Sequence, residues 1–292
     1  MKASLMQLGL VGAAFGARIL PTQANIIAAG SGPYSASYYT EPVLTNHTIF
    51  APASPPSNLK LPIFIWGQTG CSYNALRFQA FLTEIASHGI LVIANGTPNG
   101  KDNPNGIGET NSPSGALHKA ALDWIGKEAG VKGGKYENVI KERVAVAGQS
   151  CGGMQAFQLF DDARVTTIGI FNSGEVAVTG KPAKVTKPIF YFLGGSTDIA
   201  YTNKKGERDY SLLPTTTPRW KGNLALGHMG DYDKTNGGKF GVAAVAWVKY
   251  LLRGDSTAAA FFTGTGAGTA KGGGWETVGG ALDGIKVTPL KA

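Results

Sequence analysis

A serine hydroxyl is a weak nucleophile until a neighbouring base takes its proton, and that base needs a group to fix its tautomer. The segment Gly148-Gln149-Ser150-Cys151-Gly152 has the form G-x-S-x-G, and Gly153 follows it. It lies between an apolar run, Val144-Ala145-Val146-Ala147, and a helix-like segment from Gly153 to Phe160. That context is what the motif requires. A tight strand-to-helix turn with small neighbours presents Ser150 above a sheet, with a helix N-terminus behind it to favour developing negative charge. Without that context the pentapeptide is an ordinary Gly-rich turn.

The chain has four histidines from which a base could come. His47 stands near the N-terminus beside a glycosylation sequon, Asn46-His47-Thr48; a second sequon is Asn95-Gly96-Thr97. His88 falls at the end of a helical pattern, where a cation suits the dipole, and His118 lies inside another. His228, in Gly227-His228-Met229-Gly230, follows the apolar run Asn223 to Leu226 and is the candidate general base. Asp198, in Gly194-Gly195-Ser196-Thr197-Asp198, follows another apolar run and is the candidate partner of that base. Glu175 is the second candidate for the acid. Asp231 sits too near His228 in sequence to reach its ring.

These groups need a scaffold. The runs Leu61 to Trp66, Ile90 to Ala94, Val144 to Ala147, Thr167 to Phe171, Pro188 to Leu193 and Asn223 to Leu226 read as strands. Helical spacing is found over Tyr73 to His88, Ala116 to Ala129, Gly153 to Phe160 and Phe240 to Leu252. Continuous apolar strands alternating with helices predict a doubly wound α/β domain around a mostly parallel sheet. Such sheets bind ligands at the carboxyl ends of their strands, which is where Ser150, Asp198 and His228 fall. Their order along the chain, Ser, Asp, His, is that of the α/β-hydrolase fold. Fewer than twenty residues separate Phe171 from Ile189, too few for a helical cap domain as well as a crossover. The site is therefore expected to be open, walled by the polar loop from Asn95 to Ser114.

The rest of the chain narrows the class. It has 292 residues, 43% hydrophobic and only 16% charged, which suits a packed globular domain and not a disordered one. The start reads as a secretory signal peptide over residues 1–24: a basic residue, an apolar stretch from Ala3 to Ala17, and small residues around Gln23. Arg18 cuts the apolar stretch short of a membrane span. Residues 25–262 form the expected catalytic domain. Residues 263–292 read as a Gly-rich linker and a docking segment, with Trp275, Val278, Leu282 and Ile285 as its apolar positions. The net charge of +8 is spread thinly, without interleaved aromatics, so no nucleic-acid partner is expected. Two cysteines cannot make a disulfide scaffold or an all-cysteine zinc site, and no metal motif or nucleotide loop is present, so no metal and no cofactor are expected.

The chain resembles secreted α/β-hydrolases of the cutinase-like, polyester-hydrolase and dienelactone-hydrolase group, in its fungal-type branch. The resemblance rests on Ile65 to Cys71, Gly148 to Gly153, Phe192 to Ala200, and Gly227-His228 through Ala246 to Tyr250, and it covers roughly residues 48–262. It implies that backbone N–H groups of Gln68 and Cys151 form the oxyanion hole. Polyester hydrolases of the group carry aromatics where this chain has Gln68 and Asn172. With that fold, Cys71 and Cys151 fall at one edge of the sheet, and a disulfide between them is expected in a secreted chain; the alternative is two buried thiols. The function so implied is a secreted, monomeric serine hydrolase acting on small or polymeric carboxylic esters. Ser150 would be its nucleophile, His228 its base and Asp198 its acid. Two other classes remain open: an acyl-transferase or cyclase on the same fold, and a catalytically idle binding protein.

Overall fold

The computed structural model describes residues 30–101, 114–176, 179–202, 205–264 and 267–290. The expected signal peptide and most of the polar loop between Lys101 and Ser114 lie outside the described residues.

One nine-stranded sheet organises the chain. In chain order the elements are β1 (Ala36–Tyr39), β2 (His47–Pro52), β3 (Leu61–Gly67), α1 (Gln79–Ser87), β4 (Leu91–Asn95), α2 (Ala116–Glu128), β5 (Val139–Gln149), α3 (Cys151–Phe157) and β6 (Thr167–Phe171). There follow β7 (Ile189–Leu193), α4 (Ile199–Thr202), α5 (Lys205–Leu212), β8 (Arg219–Asn223), α6 (Gly238–Val248), α7 (Ser256–Ala259), α8 (Ala267–Gly272) and β9 (Glu276–Gly280). The strand order is β1-β2-β4-β3-β5-β6-β7-β8-β9. Pairing from β4 to β8 is parallel, and β1, β2 and β9 add antiparallel edges. This is an α/β-hydrolase-like, doubly wound fold with helices on both faces of the sheet.

Strand alternation divides the core into two layers. Phe64, Trp66, Phe171, Phe190 and Phe192 point to one face, where Phe81 and Ile85 of α1 and Trp247 of α6 cover them. Ile63, Ile65, Val146, Ile170 and Tyr191 point to the other, against Leu122 and Ile125 of α2 and Phe157 of α3. Both faces of the inner strands are therefore buried, which is why those strands read as unbroken apolar runs.

Three elements depart from the sequence reading. The strand expected at Asn223 to Leu226 lies earlier, at Arg219–Asn223. Arg219 and Lys221 hide it: Arg219 donates to the carbonyls of Leu213 and Pro214, Lys221 pairs with Glu207, and between them Trp220 is buried. The apolar residues 224–226 form the turn that leads to His228. The helix expected from Tyr73 starts only at Gln79. Before it, the Asn74 side chain accepts from the Leu76 N–H at 3.0 Å, an Asx turn that competes with helix. At the end of the chain, β9 pairs antiparallel with β8, and Trp275 packs between Phe240 and Trp220.

Candidate functional site

The turn between β5 and α3 holds Ser150 at φ 54°, ψ −117°. A non-glycine residue avoids this conformation unless its surroundings enforce it. They do so here. The Ser150 N–H donates to the Phe171 carbonyl at 3.0 Å, and the Ser173 hydroxyl donates to the Ser150 carbonyl at 2.6 Å. The flanking glycines are required by close approach. A Cβ on Gly148 would lie 2.2 Å from the Gly152 carbonyl carbon, and one on Gly152 would be as badly placed against Gly67.

Ser150, His228 and Asp198 come together in one hydrogen-bonded line. Ser150 Oγ is 3.0 Å from His228 Nε2, and His228 Nδ1 is 2.7 Å from Asp198 Oδ1. The carboxylate selects the tautomer with the proton on Nδ1, which leaves Nε2 free to accept from the serine. His228 reaches its place on the loop after β8, where Gly227 and Gly230 both have positive φ. Gln149, buried at the end of β5, donates from Nε2 to the His228 carbonyl at 2.6 Å and so ties the histidine loop to the serine turn.

Asp198 is fully buried at the carboxyl end of β7. Burial alone would push its carboxyl upward. Donation from His228, the Ala200 N–H, the Asn172 amide and the Gly194 N–H outweighs that and holds it below its ordinary value. It is therefore ionised at neutral pH and able to stabilise an imidazolium. The other acids serve elsewhere. Glu175 bonds with Gln158 and Thr179. Asp231 accepts from the N–H groups of Lys239 and Phe240 at the start of α6.

Cys71 and Cys151 form the expected disulfide, with Cα atoms 5.1 Å apart. Cys71 belongs to a three-residue helical turn, Thr69–Cys71, just after β3, and Cys151 begins α3. The bridge thus joins the loop carrying Gln68 to the residue after the serine. Gln68 is buried, and its side-chain amide lies 3.4 Å from the carbonyls of Ala75 and Asn95.

Two of the remaining histidines are structural. His118 Nε2 is 3.0 Å from the Ala147 carbonyl, and its Nδ1 faces the Asn95 amide at 3.2 Å. His47 Nε2 is 2.9 Å from the Leu117 carbonyl. Burial depresses both to about 4. Asn95 is itself buried and also donates to Gln155, so the second sequon is inaccessible in the folded chain, whereas Asn46 is exposed. Sequence reasoning did not single out Gln149, Ser173 or Tyr232 and took Asn172 only as a departure from a family pattern. A polar residue closing an apolar strand, as Gln149 and Asn172 do, was the available signal.

Among the described residues no three His, Cys, Asp or Glu side chains are grouped to hold a metal, and no helix is long and apolar enough to cross a membrane. Compared with protein-family models and with curated proteins, the chain matches none. The resemblance therefore stands at the level of a generic α/β-hydrolase-like fold and not of the cutinase-like group. The expected identity as a serine carboxylic-ester hydrolase is corrected as well. Cys151, which opens α3 directly behind the serine turn, is closed in a disulfide with Cys71 and offers no free side chain. The expected serine-esterase and carboxylesterase activities fall with that identity, and the expected disulfide stands. The structure supports something narrower: a serine, a histidine and an aspartate in one line, on an α/β-hydrolase-like sheet.

Proposed function

We propose that this chain is an acyl-group transfer protein, the first of the two other classes left open by its sequence. Ser150 takes an acyl group from an activated carbonyl donor, and an organic hydroxyl takes it away. The observation that carries the acyl-serine step of this reading is the Ser150–His228–Asp198 line, with 3.0 and 2.7 Å contacts. In it, Ser150 Oγ attacks the carbonyl while His228 Nε2 accepts its proton and passes it to the leaving group. The acceptor hydroxyl then gives its proton to the same nitrogen as it attacks the acyl carbon, and His228 hands that proton to Ser150 Oγ as the acyl–serine bond breaks. The Gln68 and Cys151 N–H groups would hold the oxyanion, kept in register by the disulfide.

Apolar side chains beyond the strand ends would suit an organic acceptor and an apolar acyl group. Val176, Ile199, Leu226 and Met229 are exposed, and they follow β6, β7 and β8 at the edge that carries His228 and Asp198. Sheets of this kind bind ligands at that edge. The disulfide fits an oxidising compartment, and with the apolar start of the sequence it supports a secreted protein.

The test has two stages. A fluorophosphonate probe should label wild-type protein at Ser150 and leave Ser150→Ala unlabelled. Acyl-enzyme formed from an activated ester is then offered alcohols of increasing length in water. Partition toward the alcohols supports transfer. Release of free acid alone would overturn transfer, and no labelling at all would leave an idle binding protein.

A further inference from the structure

We infer that Asn172 and Tyr232 are positioning residues that set Asp198, and through it His228, in the reactive arrangement; the inference rests on the acyl-transfer reading for its rate measurements only. Asn172 ends the crossing from β6 at φ 44° and is fully buried. Its side-chain Nδ2 donates both protons, one to Asp198 Oδ2 at 2.9 Å and one to the carbonyl of Gly227, next to His228, at 3.1 Å. One amide therefore holds the acid and the backbone of the histidine loop together.

An amide has two ends, and the wrong end would repel. With the side chain turned over, Oδ1 would face a carboxylate oxygen and a carbonyl oxygen at hydrogen-bond distance. Tyr232 prevents this, because its hydroxyl donates to Asn172 Oδ1. The tyrosine is itself fixed. Its ring is fully buried, with Phe240, Phe78 and Phe81 at 4.7, 4.9 and 5.1 Å between centroids. It also sits four residues after His228 on the same loop. The chain of contacts runs from an aromatic cluster through Tyr232, Asn172 and Asp198 to His228. Neither Asn172 nor Tyr232 touches Ser150 Oγ or His228 Nε2 in it. A merely structural buried tyrosine would need only a partner for its hydroxyl. Here the partner is the amide whose other end grips the acid.

The decisive experiment uses the whole chain and two readouts. Proton NMR follows the downfield His228 Nδ1–H resonance, which reports the bond to Asp198 whether or not Ser150 is ever acylated. Fluorophosphonate labelling, resolved into the probe's binding constant and its maximal rate, follows the reactive arrangement. Tyr232→Phe removes one oxygen and keeps the ring, so it should fold, and Asn172→Ala removes the whole amide. The expected result is an upfield-shifted or exchange-broadened resonance in both. The maximal rate should fall about tenfold in Tyr232→Phe and about 10²-fold in Asn172→Ala, with probe binding unchanged. The double variant should be no slower than Asn172→Ala, because both act through one contact. An unchanged resonance in Tyr232→Phe, or fully additive losses in the double variant, overturns the inference. Should wild-type Ser150 fail to label, the acyl-transfer reading falls, and the NMR result still decides the roles of Asn172 and Tyr232.

Discussion

A Cβ placed on Gly152 would lie 2.0 Å from the carbonyl oxygen of Gly67. The first turn of α3 therefore rests backbone-to-backbone on the end of β3, and this contact sets how deep the serine turn sits. Neither partner can yield as a flexible side chain could. Gly152→Ala should destabilise the fold by at least the ~3 kcal/mol seen at the upper end of core overpacking. Urea unfolding of the variant beside wild type checks this, and a loss below about 1 kcal/mol would show that the contact is loose.

Asp198→Asn replaces a buried, ionised acceptor with a neutral amide that no longer enforces the Nδ1–H tautomer of His228. Labelling of Ser150 should slow by about 10³–10⁴ while the fold persists. Glu175→Gln, which alters a side chain bonded to Thr179 and Gln158, should cost far less. Stopped labelling reactions on the two variants decide between them, and equal losses would remove Asp198 from its role.

Cys71→Ser opens a bridge that spans 80 residues of sequence. Loss of such a bridge should lower stability by about 2–5 kcal/mol. The separate effect on reactivity should be about tenfold, less than the loss of a whole oxyanion donor, because the amides are loosened and not removed. Comparing melting and labelling rate at a temperature where the variant is fully folded separates the two. An undiminished rate there would mean that the bridge serves stability alone.

The buried histidines make stability depend on pH in one direction. His47 and His118 are depressed from 6.5 to about 4, so the unfolded chain binds protons before the folded one does. Their contribution is full above about pH 6.5 and is lost as pH falls toward 4. Each could contribute up to about 3 kcal/mol across that window. Geometry gives the same sign for His118, since a proton on Nδ1 would face the Asn95 amide donor. Unfolding free energies should drop between pH 6.5 and 4.5, and His118→Gln should flatten the curve. Parallel curves for the two proteins would count against this origin.

How much the sequence disclosed depended on what each position answers to. The inner strands are covered on both faces, so β3, β4, β6 and β7 stand out as apolar runs. The element β8 does not, because Arg219 and Lys221 place charged ends on partners elsewhere while Trp220 fills the core. The edge strand β9 is largely exposed and rich in glycine, and it carries no alternation to read. Ser150, Asp198 and His228 were findable because each follows a strand at its carboxyl end, a local fact. The contact of Asn172 with Tyr232 spans 60 residues and exists only once the sheet and the histidine loop are folded together. Reaction class lay further out of reach, since a serine, a histidine and an aspartate in line do not name a reaction or its substrate.

The Cys71–Cys151 bridge also makes this a chain that can be cut without coming apart. Lys101 is exposed and lies between the two bridged cysteines. A single break there would separate β3 and β4 from β5 in sequence, yet both pieces would stay joined through sulfur and through the β3–β5 pairing. The nicked molecule would migrate as one species until a reductant is added, and would then resolve into two fragments. A protease acting on this side of the molecule would therefore leave the serine turn tethered to the loop that faces it.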